Sequence, residues 1–207
     1  MKRIIQLSLI LAAAILFSCT AKKTESPFSV PFEKYKLDNG LTVILHEDKS
    51  DPIVAVAIAF HVGSSREVPG KTGFAHLFEH MMFQRSENVG EDQLFRLIQG
   101  AGGELNGGTS FDYTVYYEVV PRNALEMALW LESDRMGYLE NTVTQTAFAN
   151  QQNVVQNEKR QGVDNSPYGH NDALILKNVY PDGHPYSWDV IGEMEDPDRR
   201  VLHQRPI

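Results

Sequence analysis

Gly73-Phe-Ala-His-Leu-Phe-Glu-His-Met-Met-Phe83 sets His76, Glu79 and His80 into an otherwise apolar run. Phe74, Leu77, Phe78, Met81 and Met82 recur at helical spacing with no internal breaker, so the stretch predicts a helix. On a helix, His76 and His80 stand at i and i+4, with both imidazoles on one face about one turn apart. That spacing lets two ring nitrogens reach one zinc ion at the roughly 2.0–2.1 Å it requires. Glu79 lies beside them and is placed to take a proton from a water on the ion. The order is His-x-x-Glu-His, the zinc-helix pattern written in reverse. A carboxylate and two imidazoles buried without partners would cost several kcal/mol, and a metal removes that cost.

A catalytic zinc normally takes three protein ligands and keeps one position open. His46, His61, His170, His184 and His203 fall in strand ends or loops. Among the carboxylates, Glu158 in Asn150–Gly162 (NQQNVVQNEKRQG) sits on a predicted helix, and Glu118, Glu126 and Glu132 compete with it by composition. Residue types and spacing alone leave that choice open.

Outward from the helix, strands and helices alternate. Tyr35–Asp48 reads as two strands joined by Asp38-Asn39-Gly40, a hairpin turn signal. Pro52–Val62 reads as an apolar central strand, and Glu91–Gly103 as a short helix stopped by glycines. Glu104–Val120, rich in Tyr, Thr and Val, reads as one strand with a loose glycine pair at Gly107-Gly108. Helices are expected over Pro121–Leu139, with the proline at its start, Thr144 to about Gln161, and Asn171–Tyr180. Hairpins imply antiparallel pairing, so the fold class is α+β: one largely antiparallel sheet with helices packed on one side. No internal repeat or low-complexity tract occurs.

The chain has 207 residues, 42% hydrophobic and 10% aromatic, enough for a core. The formal charge of −8 and the absence of any Lys/Arg run beyond a dipeptide exclude a nucleic-acid binder of the usual basic kind. Lys2-Arg3 followed by apolar Leu9–Phe17 reads as a leader, too short to span a bilayer. Leu16-Phe-Ser-Cys-Thr20 resembles a bacterial lipobox, which makes residues 1–18 the signal peptide and Cys19 the lipidated first residue. Cys19 is also the single cysteine, so no internal disulfide forms. Residues 19–33 read as a tether. The expected domain is 34–196. Residues 197–207 have no clear period and look like a truncation or frameshift, which leaves the domain incomplete at its C-terminus.

"FHVGSSREVPGKTGFAHLFEHMMF" followed by "VVQNEKRQ" is similar to the pitrilysin family of inverted-motif zinc peptidases, and the likeness runs from about Tyr35 to Asp196. The resemblance implies one Zn2+ per domain held by His76, His80 and Glu158, with Glu79 as general base. It also implies that "GGELNGGTSFDYTVYYEVVP" (Gly102–Pro121) lies beside the zinc and pairs with the substrate backbone. Asn106, Gly107 and Thr109 are the expected substrate contacts, Gly107 departing from the alanine often found there. Gln151 stands where many members carry a second glutamate seven residues before the ligand glutamate. The resemblance further implies a second homologous domain, supplying an Arg and Tyr pair, which residues 159–207 cannot replace. Two readings follow: a zinc endopeptidase acting on peptides in the bacterial cell envelope, lipid-anchored to a membrane, or a zinc-binding, non-catalytic fragment or subunit that needs a second domain or partner chain.

Overall fold

The computed structural model describes residues 29–193, so Cys19, the leader and the 197–207 tail lie outside the described residues. Residues up to Asp51 and those from Pro52 onward form two compact units. The expected Tyr35–Asp48 hairpin lies in the first unit.

In the first unit, β1 (Glu33–Lys36) and β2 (Thr42–Leu45) pair antiparallel, Glu33 opposite Leu45 and Lys36 opposite Thr42. The Asn39-Gly40 signal holds: Gly40 has φ +91°, and Leu37 N–H donates to the Leu41 carbonyl at 2.8 Å.

The second unit contains β3 (Ile53–Phe60), β4 (Glu104–Thr109) and β5 (Thr114–Pro121), in the order β3-β5-β4 and all antiparallel. The helices are α1 (Phe74–Gln84), α2 (Gln93–Gly100), α3 (Leu125–Tyr138), α4 (Gln145–Lys159) and α5 (Asn171–Val179). The α+β, antiparallel architecture is as expected, but the strands form two sheets rather than one.

Three local expectations change. The run Glu104–Val120 is two strands, because Ser110–Tyr113 closes a turn in which Ser110 N–H and Oγ both donate to the Tyr113 carbonyl, at 2.8 and 3.0 Å. The serine and aspartate of that turn are its signal. Pro121 ends β5 opposite Ile53, and a 3-10 turn (Arg122–Ala124) intervenes before α3. The central strand is β5; among the described residues β3 lies at an edge. In β3, Val54, Val56, Ile58 and Phe60 are half-buried while Ala55, Ala57 and Ala59 are exposed. This alternation of large and small side chains is that of a one-sided strand.

One face of β5 is buried through Thr114, Tyr116, Glu118 and Val120. Val120 packs with Ile98 of α2 and with Ala128 and Leu131 of α3 in the main core. A second cluster joins Leu77 of α1 to Phe148 and Val155 of α4. Thr144 caps α4, its Oγ1 accepting from Ala147 N–H at 3.2 Å.

An irregular segment, residues 180–193, straps these elements together. Trp188 Nε1 donates to the Ser64 carbonyl at 3.0 Å, and Glu193 N–H donates to Thr72 Oγ1 at 3.0 Å. Gly192 has φ +72° and lies against the backbone of Thr72 and Gly73, where any Cβ would collide. The strap therefore meets the chain at the start of α1.

Candidate metal centre

Gly73, with a left-handed φ of +81°, precedes helix α1 and has no side chain to cap it. Glu67 does that work from the preceding loop: its Oε2 accepts from Gly73 N–H at 2.9 Å and its Oε1 from Ala75 N–H at 2.7 Å. A carboxylate there also meets the positive end of the helix. Nothing in the local sequence marks Glu67 for the role.

With α1 so started, Leu77 faces α4 while His76 and His80 point to its C-terminal half. Among the described residues, His76, His80 and Glu158 form the one cluster of three potential metal ligands. Nε2 of His76 and Nε2 of His80 are 3.3 Å apart. Glu158 Oε2 is 3.2 Å from His80 Nε2 and 3.7 Å from His76 Nε2. Bonds of about 2.0–2.1 Å to a tetrahedral zinc ion require donors about 3.3–3.4 Å apart. Two edges match that triangle and the third, His76 to Glu158, is about 0.3 Å longer; two imidazoles with one carboxylate are a donor set zinc accepts. The residues therefore fit the ion. The Glu158 side chain is 50% exposed, so the triangle opens to solvent on that side. Burial, and then the nearby His80, hold the His76 imidazole below its ordinary value despite the opposing charges of Glu158 and Glu79. A neutral imidazole is the form that ligates a metal.

Glu79 is buried at 9% exposure, between the two histidines in sequence. Its Oε2 accepts from Thr109 Oγ1 at 2.6 Å. The same turn of α1 borders an apolar cavity of about 520 Å3 walled by Phe74, Phe78, Met82 and Tyr116. A hydrogen bond at such a boundary is stronger than in water. The expected substrate contacts lie on β4, an edge strand among the described residues. Asn106 Oδ1 accepts from Gly107 N–H at 2.8 Å. A Cβ on Gly107 would stand 2.9 Å from Phe83 Cζ, so Phe83 occupies the space an alanine methyl needs.

The competing groups are engaged elsewhere. Glu132 accepts from Arg135 Nε at 2.8 Å, and Glu118 lies 3.9 Å from Arg135 Nη2. Glu126 is exposed. His184 stacks on Tyr180 with centroids 4.7 Å apart, His61 accepts from Arg66, and His46 contacts the Pro31 carbonyl. Gln151 is buried on α4. One contributor has no signal in the sequence pattern: Lys159, next to Glu158, donates through Nζ to the Gly192 carbonyl at 2.5 Å. This ties the end of α4 to the strap and so to the start of α1.

Comparison with known proteins finds zinc proteases among the relatives of this chain. A zinc protease of Helicobacter pylori is 31% identical over 187 residues, covering 90% of this chain and 41% of that protein. The crystal structure of a protease from Helicobacter pylori superposes with a TM-score of 0.77 at 32% identity, over 82% of this chain and 40% of that one. A domain from Pseudomonas fluorescens, described as an inactive M16 peptidase domain, shares the fold with a TM-score of 0.71 at 18% identity, over 81% of this chain. The chain thus spans about two fifths of the length of the relatives it matches, 41% and 39% for two of them. Residues 42–182 match the insulinase family of peptidases, family M16, and the chain belongs to that family.

Proposed function

We propose that this chain is the zinc-binding domain of a metalloendopeptidase that hydrolyses peptides or unfolded polypeptide. The observation that carries the reading is the His76–His80–Glu158 triangle, close to the edge length of a zinc tetrahedron, with Glu79 near enough for its charge to act on His76. Zinc, when bound, supplies Lewis-acid polarisation and a water acidic enough to react near neutral pH. His76 and His80 offer their Nε2 atoms, and Glu158 brings the negative charge that offsets the ion. Glu79 takes the proton of the attacking water on its carboxylate and passes it to the leaving amine. The edge of β4 that pairs with no strand among the described residues holds an extended peptide through main-chain hydrogen bonds, with Asn106 on that strand, which favours broad side-chain tolerance.

The lipobox at Cys19 supports anchoring to a membrane of the bacterial envelope, with 1–18 as leader and 19–33 as tether. Among the described residues no helix is long and apolar enough to cross a membrane. A second reading has its own support. The chain covers 41% of its zinc-protease relative, and a domain of the same fold is described as inactive. On that reading the chain binds zinc but turns over only with a second homologous domain or partner chain.

The test is cleavage of an internally quenched peptide, with bound zinc measured on the same samples. Glu79→Gln should abolish hydrolysis and keep about one zinc per chain, while His76→Ala, His80→Ala and Glu158→Ala should lose the metal. Full zinc binding by Glu158→Ala would refute the third ligand. Cleavage that appears only on adding a second domain selects the second reading.

A further inference from the structure

Thr109 closes β4, opposite Thr114 in the last pair before the Ser110–Tyr113 turn. Two acceptor oxygens flank this pair. Thr109 Oγ1 lies 2.6 Å from Glu79 Oε2, Thr114 Oγ1 lies 2.9 Å from the Val62 carbonyl, and the two hydroxyls are 3.2 Å apart. A carboxylate and a carbonyl only accept, and each hydroxyl has one proton to give. The arrangement that satisfies both acceptors sends the Thr109 proton to Glu79 and the Thr114 proton to Val62. Thr114 is 5% exposed, so water does not compete for its hydroxyl proton. The 2.6 Å length is that of a charge-assisted O–H···O− bond.

We propose that Thr109 is the positioning residue of the base Glu79, fixing its carboxylate by Oε2 so that Oε1 is the atom left to take the proton. The catalytic role of Glu79 is the reading given above, and this inference rests on it. A carboxylate terminus rotates in a broad, roughly two-fold well, so a helix alone does not aim its oxygens. Thr109 comes from a different element and is itself stiff about χ1. With its proton directed at Glu79, the Thr109 hydroxyl has no donor left for a substrate carbonyl. The side chain therefore serves the base rather than the peptide. It also couples the sheet edge that would carry substrate to the group that would act on it.

Two measurements on the full chain decide the matter. The first needs no activity. Urea unfolding in the presence of a chelator is followed for the wild type, Thr109→Val, Glu79→Ala and the double variant. Thr109→Val should lower the midpoint beside an intact Glu79 and have little effect in the Glu79→Ala background; equal losses in both would overturn the proposal. In the second, on zinc-loaded protein cleaving a quenched peptide, Thr109→Val should lower kcat by about 10–100-fold with KM within about two-fold and zinc content unchanged. Thr109→Ser, which restores the hydroxyl, should recover most of it. A raised KM at unchanged kcat would make Thr109 a substrate contact and overturn the positioning role. If the wild type cleaves no faster than Glu79→Gln, the catalytic reading of this chain fails, and the unfolding cycle alone decides whether Thr109 holds Glu79.

Discussion

Replacing Glu118 by glutamine should change how the stability of the chain depends on pH. Glu118 is 0% exposed, with Glu132 beside it and Arg135 Nη2 3.9 Å from its Oε1. Burial, followed by the neighbouring Glu132, pushes its carboxyl up to about 9 from an ordinary 4.5, and Arg135 opposes the rise only in part. The folded chain therefore keeps a proton on Glu118 that the unfolded chain gives up above about pH 4.5. This contribution is fully present below pH 4.5 and is lost progressively as pH rises towards 9. The slope is about 1.4 kcal/mol per pH unit, so at pH 7 roughly 3 kcal/mol of stability is missing relative to pH 4.5. Glutamine keeps the shape, has nothing to titrate, and donates to Glu132 as the protonated acid does. Glu118→Gln should match the wild type near pH 5 and exceed it by several kcal/mol at pH 8. With an m-value of roughly 2 kcal/mol per M urea, 3 kcal/mol moves the midpoint by about 1.5 M. The assay is urea unfolding followed by fluorescence of Trp130 and Trp188, with chelator present to keep metal linkage out. A difference between the two proteins that stays constant from pH 5 to pH 8 would refute the reasoning.

Phe148 is 1% exposed and packs on Leu77 and Phe74, so Phe148→Ala should cost about 3–5 kcal/mol and weaken zinc binding by loosening α4 from α1; an unchanged zinc affinity in a competition titration would count against that link. Lys159→Met removes the bond to the Gly192 carbonyl and should weaken zinc binding about tenfold with a small stability loss. Unaltered binding would show that the strap does not steady Glu158. Gly107→Ala brings a methyl to within 2.9 Å of Phe83 and should cost about 1 kcal/mol in urea unfolding, and Phe83→Leu should return part of it in the double variant. A double variant weaker than the sum of the two singles would place the clash elsewhere.

The parts of this protein governed by short-range geometry are legible in its amino-acid order. Helical periodicity places His76 and His80 on one face whatever surrounds them. Asn39-Gly40 specifies the hairpin because few residues tolerate its φ angles. The alternation of valine and isoleucine with alanine in β3 encodes a one-sided strand, although a continuous apolar run suggests a central one. Residue spacing alone could not choose the third ligand, because Glu158 stands 78 residues beyond His80 and four glutamates qualified on composition. The family resemblance pointed to Glu158; packing explains why that residue qualifies. Leu77, Phe148 and Val155 dock α4 on α1, which brings Glu158 to the histidines, while Arg135 holds Glu118 and Glu132 inside the core. The grip of Thr109 on Glu79, the Glu67 cap and the Lys159–Gly192 tie have no local signature either. Each joins elements distant in sequence, and such contacts are set by which surfaces bury one another. Local pattern determined the zinc helix; tertiary packing decided what meets it.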